Sequence, residues 1–423
     1  MPISHIVLTL IVSISILLML LRPRDIPEVY WVGGGALLLL ILHLIPLRLA
    51  GRAAAEGSDV YLFLLGMMLL SELAREHGVF DWLSSAALKR AHGSCARLFT
   101  LVYGIGTLVT IFLSNDATAV VLTPAILVAI RKAKVPPLPY LFACAMIANA
   151  ASFVLPISNP ANLVVFHREM PPLGRWLVSF GLPSIFSIVV TYVVLRFLFR
   201  RELAVNRGEG EVTAQPLSTN GKIVLGGIAF VVAVLLTASS FGRDLGLPTA
   251  LTAIAITIIV CIKTRSSPWS LLKEISWGTI ALVAGLFIMV DAVQSIGALK
   301  LTQNALQAVQ RLAPAPAALV TGFVVGIANN IVNNLPLGLL AGGALQAEHA
   351  TGLIANAVLI GVDLGPNLSV TGSLATILWL IALRKENLNV SGWDFLKVGA
   401  IAMPVALLAS IAGAILMHKL TSF

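Results

Sequence analysis

The sequence predicts an all-α polytopic membrane protein made of two inverted repeats, each about five transmembrane helices plus one re-entrant hairpin. Three observations carry that expectation. Apolar runs long enough to cross a bilayer recur from end to end. A single long polar stretch divides the chain near its middle. One constant residue offset then lays the two halves on each other.

Of 423 residues, 58% are hydrophobic and 11% are charged, against roughly 25% charged in soluble domains. Residues 3–21, 29–47, 176–199, 223–240 and 396–418 are the cleanest apolar runs, each near the length that spans about 30 Å of hydrocarbon. The first has no basic residue ahead of it and runs directly into Arg22-Pro23-Arg24. It therefore reads as a retained span rather than a cleaved signal.

The net charge of +9 reads as topology rather than as affinity for nucleic acid, because cytoplasmic loops collect Lys and Arg. With five crossings and a re-entrant hairpin per half, one side carries 18 basic residues, from Arg22 and Arg24 to Arg384 and Lys385, and the other 8. Arg196 and Lys397 fall at helix ends. The rich side is expected to be the cytoplasm, with both termini outside.

The polar stretch Arg200–Lys222 is rich in charge and turn formers. It sets a first repeat at 1–199, a cytoplasmic linker at 200–221 and a second repeat at 222–423. A shift of 219 lays Ile3–Leu21 on Lys222–Ser240, Gly66–Glu72 on Gly285–Asp291, Gly78 on Gly297 and Asn115 on Asn334. An odd number of crossings per half turns the copies opposite ways, the plan of secondary transporters. Residues 79–91 and 298–312 are amphipathic and are expected to lie in the interface as helices.

A polar interruption at membrane depth survives only where its backbone is buried in protein or lines a cavity. Phe112–Thr118 and Ala328–Pro336 separate short apolar legs and read as hairpin tips. Pro156–Asn162 and Asp363–Ser373 break runs at about 138–166 and 353–383. A shift of 214 puts Ser158-Asn159 on Gly372-Ser373 and Asn149 on Asp363. Pro and Gly stop such helices while Ser, Thr and Asn cap the freed ends. A midplane site is expected where two tips meet two breaks.

The candidate binding residues are Ser114, Asn115 and Thr118 at the first tip and Ser158 and Asn159 at the first break. At the second tip and break they are Asn333, Asn334, Thr371, Gly372 and Ser373. Their amides, hydroxyls and backbone groups suit a small oxygen-rich solute. Asn329, Asn330 and Asn356 read instead as helix–helix glue. Asp116 and Asp363 are ionisable groups deep in apolar sequence, with Leu335 and Asn149 opposite them in the repeat, and are the candidate proton carriers. Glu72 and Asp291 match each other near span ends, where a structural role is expected.

Leu113-Ser-Asn-Asp-Ala-Thr-Ala-Val-Val-Leu-Thr-Pro124, Val332-Asn-Asn-Leu-Pro336, Gly361-Val-Asp-Leu-Gly-Pro366 and Thr371-Gly-Ser-Leu-Ala-Thr-Ile-Leu-Trp379 resemble the arsenical pump membrane protein family of the ion transporter superfamily. The resemblance implies export of arsenite and antimonite through a bacterial-type inner membrane. It implies drive by the proton gradient, alone or with a cytoplasmic arsenite-stimulated ATPase as partner. Asn149 departs from it, since some members carry an acidic residue there.

Arsenite is a neutral trihydroxide near pH 7, so its site needs hydrogen-bonding groups rather than cations. No Lys or Arg falls within any of the four breaks. Cys95, Cys144 and Cys261 are scattered; they read as small buried apolar residues, not as a thiolate triad for As(III) or a metal site. No nucleophile–base pair or Gly-rich phosphate loop appears in the spans, so the chain reads as a transporter without cofactor, not an enzyme or ATPase. The alternatives are a sodium/proton antiporter or anion carrier of the same superfamily, or a channel.

Overall fold

The computed structural model describes residues 3–166, 169–204, 216–265 and 267–421, and every element in them is helical. The expected linker's residues 205–215, with Arg207, and also Arg168, lie outside the described residues. The first half runs α1 (Ile3–Leu21), α2 (Glu28–Ile41), α3 (Leu47–Glu56), α4 (Ser58–Glu76) and α5 (Val79–Ala91). It continues with α6 (Cys95–Phe112), a π-helical segment at Ala117–Leu122, α7 (Thr123–Ala133), α8 (Leu138–Ala150), α9 (Pro160–Val165) and α10 (Leu173–Leu198). A short α11 (Arg200–Leu203) precedes the second half. That half runs α12 (Thr219–Ser240), α13 (Gly246–Thr264), α14 (Pro268–Glu274), α15 (Trp277–Ser295) and α16 (Ala298–Gln310). It closes with α17 (Pro314–Val332), α18 (Asn334–Ala347), α19 (Leu353–Leu364), α20 (Leu374–Lys385) and α21 (Gly392–Thr421).

The halves match element by element. Adding 219 to α4 gives 277–295 and to α5 gives 298–310, the bounds of α15 and α16. Adding 214 carries the 3-10 turn Pro156–Ser158 onto Val370–Gly372 and the first residue of α9 onto that of α20. Gly78 and Gly297, each capping an interfacial helix, share a left-handed backbone at φ 70° and 105°. Eight helices among the described residues are long and apolar enough to cross a membrane, and α3 and α4 form an apolar pair bent by 48° at the break between them.

Both hairpins re-enter. Helix α5 packs against α6 and α7, and α16 against α17 and α18. At the base of the first hairpin, Tyr140 Oη on α8 donates to Cys95 O on α6 at 3.1 Å. Chain entry and exit therefore lie on one side. On the other side, Gln307 Nε2 of α16 donates to Glu348 Oε2, just past α18, at 2.9 Å.

Two expected boundaries move. The run at 29–47 becomes helix only over Glu28–Ile41. His43 then takes a left-handed φ of 51° and Leu44 N closes back on Leu39 O at 2.9 Å, before the chain turns at Pro46 into amphipathic α3. The second tip is narrower than the polar interval 328–336. Helix α17 continues through Asn329 and Asn330 to Val332. It can do so because those amides spend their donors on neighbouring backbone: Asn329 Nδ2 reaches Gly361 O at 2.7 Å and Val362 O at 2.9 Å.

Those bonds require close helices. Gly322 and Gly326 on α17 face Gly361 on α19 and Gly365 just past its end, a pair of small-xxx-small stripes of the kind that lets membrane helices approach. A Cβ on Gly361 would stand 2.8 Å from Gly322 O, and one on Gly365 would overlap the Gly326 backbone. Gly365→Ala should therefore cost about 1–3 kcal/mol, as overpacking against backbone does. The expected readout is a lower apparent melting temperature in detergent, while Gly34→Ala, with nothing within 4 Å of its new methyl, leaves melting unchanged.

Candidate functional site

Four helices begin at one place in the middle of the bundle. The first tip restarts as helix at Asn115, α9 at Pro160, α18 at Asn334 and α20 at Leu374. All four starts carry side-chain caps, Ser114 Oγ accepting from Ala117 N at 3.2 Å at the first tip. Asn159 Oδ1 accepts from Ala161 N at 3.0 Å, Asn333 Oδ1 from Leu335 N at 3.4 Å and Ser373 Oγ from Thr376 N at 3.1 Å. Each helix N-terminus presents unpaired N–H groups and the positive end of its dipole, which favours oxygen acceptors.

A small cavity lies between these ends, lined by Asn115, Asp116, Asn159, Asn334, Leu335 and Ser373 among others. It has room for about one water-sized molecule. Its lining follows the repeat: Asn115 is matched by Asn334, Asp116 by Leu335, Asn159 by Ser373, and Leu64 by Val283. A second cavity of about 170 Å³ adjoins it and shares Leu64, Asp116, Pro160 and Thr279. Ser114, Ser71, Glu72, Glu274 and Ser276 line this outer space.

Asp116 stands at the junction of the two cavities, and no described residue hydrogen-bonds its carboxylate. It opens the π-helical segment Ala117–Leu122, whose widened turn leaves backbone groups off the regular ladder, a feature frequent at functional sites. Asn334 is 3% exposed, and its Oδ1 has no partner among the described residues.

Behind the cavity lies a second polar layer that joins the repeats. Asn159 Nδ2 donates to Asp363 Oδ1 at 2.8 Å. Its counterpart is Ser373 Oγ, which donates to Asn149 Oδ1 at 3.4 Å. In each case the cap of one repeat's broken helix is bonded to the α8-type helix of the other. Asn149 Nδ2 also reaches Asn367 Oδ1 at 3.0 Å and Thr376 Oγ1 at 3.3 Å. Asp363 is fully buried and its Oδ2 has no partner.

The other candidates face the frame. Thr118 Oγ1 lies 2.8 Å from Thr110 Oγ1, turned into α6. Ser158 Oγ donates to Ile111 O at 3.0 Å and ties the first break to the hairpin. Asn333 has a left-handed φ of 78° and is held there by Nδ2 donating to Thr371 O at 3.2 Å. Thr371 Oγ1 donates to Asn330 O at 2.9 Å. Gly372 lets Pro366 and Asn330 approach, since its Cβ would stand 2.5 Å and 2.8 Å from them.

Residue reading alone missed the outer cavity. Glu72 and Glu274 lie 202 positions apart, and only the fold brings them together. Arg75, one turn from Glu72, was the available hint. Cys95, Cys144 and Cys261 are buried and unpaired in α6, α8 and α13.

Inverted repeats, paired re-entrant hairpins and broken helices around a central polar cavity define a membrane transporter. The family model described as citrate transporter matches residues 6–364, and the chain belongs to that family. Curated relatives are the arsenical pump membrane protein of Escherichia coli K12, 28% identical with 84% of this chain and 86% of that one covered, and the putative arsenical pump membrane protein of Bacillus subtilis, 24% identical with 92% and 94% covered. The crystal structure of the YdaH transporter of Alcanivorax borkumensis shares the fold, with a TM-score of 0.58 at 14% identity over 88% of this chain and 87% of that one.

Asn159→Ala removes the one hydrogen bond that described residues give the buried Asp363 carboxyl. Leaving such a group unpaired costs roughly 1–3 kcal/mol. Thermal unfolding in detergent should show that loss, with part of it recovered by adding Asp363→Asn. An unchanged melting temperature in Asn159→Ala would mean the pair contributes nothing to stability.

Proposed function

We propose that this chain exports arsenite, and antimonite with it, as a proton-driven antiporter whose site is the cavity between the two tips. The observation that carries the reading is the chemistry of the walls. Amide and hydroxyl side chains and four helix starts face the space, and neither cavity is lined by Lys or Arg. A neutral trihydroxide can be held by such groups, each hydrogen bond contributing about 0.5–1.5 kcal/mol. Citrate, anionic at neutral pH, would meet Asp116, Glu72 and Glu274, with no Lys or Arg among the lining residues to bind it. The relatives named as arsenical pumps favour the same cargo.

In this scheme Asn115 and Asn334 bond the solute's hydroxyls from opposite sides. Asp116, at the junction of the cavities, exchanges the proton, with Asp363 the second candidate. The linker side is assigned to the cytoplasm from the excess of Lys and Arg there. Any ATPase would act as a separate cytoplasmic partner.

The test is arsenite uptake into everted vesicles with an acid-inside pH gradient. Uphill accumulation that collapses with the gradient is expected, whereas a channel would only equilibrate. Asn115→Ala and Asn334→Ala should each lower the initial rate about ten-fold, a lost bond plus an unsatisfied partner. Normal rates in both would remove the amides from the site. Asp116→Asn should abolish uphill accumulation yet keep downhill exchange, because the amide retains the shape but cannot release a proton. Replacing Cys95, Cys144 and Cys261 together should leave transport intact.

A further inference from the structure

The outer cavity carries fixed charge of one sign. Glu72, Glu274 and Asp116 line it, and no cationic side chain does. The nearest cation is Arg75, whose Nε lies 3.0 Å and 2.9 Å from the two carboxylate oxygens of Glu72. Its Nη2 also contacts Glu72 and lies 3.7 Å from Glu274 Oε2. Arg75 is thus engaged by both acids, with Glu76 also near it. The Glu72 side chain is 13% exposed and that of Glu274 62%, so Glu274 stands at the mouth and Glu72 further in.

The matching surface in the other repeat is different. There Asp116 is replaced by Leu335, which is buried, and Glu274 by Ala55. Helix α18 packs on α15 and α9, with Gly342 so close to Val165 that a Cβ would stand 2.6 Å from its carbonyl oxygen. A cavity of about 200 Å³ does open around Ala55, lined also by Glu56, Asp59, Leu163 and Asp244, but it shares no lining residue with the inner cavity, whereas the outer cavity on the linker side shares four.

We propose that the outer cavity is an entry vestibule that sorts solutes by charge before they reach the tips. Glu274 and Glu72 set its sign, and Arg75 is a positioning residue held between them and out of the path. Field lines focus in a narrow cleft with low-dielectric walls, so a net negative lining raises the local concentration of cations and lowers that of anions. Protons and neutral solutes pass to Asp116; oxyanions and carboxylates are turned back at the mouth. The proposal rests on this cavity being the access path of a transporter, and not on which neutral solute is carried.

The experiment uses the full-length chain lacking Cys95, Cys144 and Cys261, with Val120→Cys as a reporter. Val120 lines the vestibule and is 38% exposed. Cationic and anionic methanethiosulfonates of similar size are applied from the linker side, and each rate is divided by that for a small free thiol. The cationic reagent should be favoured on the order of ten-fold. Glu274→Lys should bring the ratio to near one or invert it, Glu274→Gln should give an intermediate value, and Glu274→Asp should keep the parent ratio. That grading by charge is something a packing role would not produce. A parent ratio near one, or a ratio that Glu274→Lys leaves unmoved, overturns the filter. Because no arsenite is used, a failure of arsenite transport with the ratio intact would overturn only the cargo.

Discussion

Where α8 and α19 stop, the backbone loses its helical partners at a depth that holds no bulk water, and the whole site depends on how those groups are paired. In each repeat an amide closes the broken segment locally. Asn162 Nδ2 reaches Ser152 O, Leu155 O and Pro156 O at 2.9–3.3 Å. Asn330 Nδ2 reaches Gly365 O at 3.1 Å, while its Oδ1 accepts from Ser369 N and Oγ. A second set of bonds then crosses between repeats, Asn159 to Asp363 and Ser373 to Asn149. Asn367 joins them, its Nδ2 donating to Met146 O at 3.0 Å and its Oδ1 accepting from Asn149 Nδ2. The breaks are therefore stitched to each other, and the four helix starts are held around one point.

That stitching explains which polar groups remain available. Thr118, Ser158, Asn333, Thr371 and Gly372 are spent on the frame. Asn115, Asp116 and Asn334 face the cavity with capacity left, and the free oxygen of Asn334 lies beside a space that holds little more than a water. A site with no cation and few, weak, directional contacts suits a small neutral solute that must be released each cycle. Tight anion binding would need guanidinium or ammonium groups, and the walls hold none.

Much of this was legible because the repeat conserves some helix lengths. A single offset of 219 carries α4 and α5 onto α15 and α16, and the slip to 214 falls within the hairpin's return leg, which runs from Asn115 to Ala133 in the first repeat and only from Asn334 to Ala347 in the second, so it is a shortened helix and not a shortened connection. The polar breaks were legible because Pro, Gly and Asn have no other reason to cluster in apolar sequence. What failed to show was partnership. Asn329 and Asn330 read as helix–helix glue, but nothing in the sequence says that the segment they join is the one carrying Gly361, Val362 and Gly365. The stripes Gly322/Gly326 and Gly361/Gly365 were in plain view, but nothing in the chain says that they face each other. Glu72 looked like a span-end residue because its neighbours in the vestibule come from the other half.

A frame with twofold symmetry gives no direction to transport, since its two faces would be equivalent. Direction needs chemistry that breaks the symmetry without disturbing the fold. Among the differences at matched positions are Asp116 against Leu335, Asp363 against Asn149, and Glu274 against Ala55. Each puts the acid on one side only, and in each the partner is neutral, so the backbone and its caps are kept. In the proposed scheme a proton can then be taken up and released by one half while the other supplies a passive wall. The carboxylate at the first tip opens on the vestibule, and the leucine that replaces it at the second seals against α15 and α9. A group that titrates needs water on at least one face to exchange its proton, and a group that seals must be apolar. Substituting one for the other at a single repeat-related position supplies both conditions.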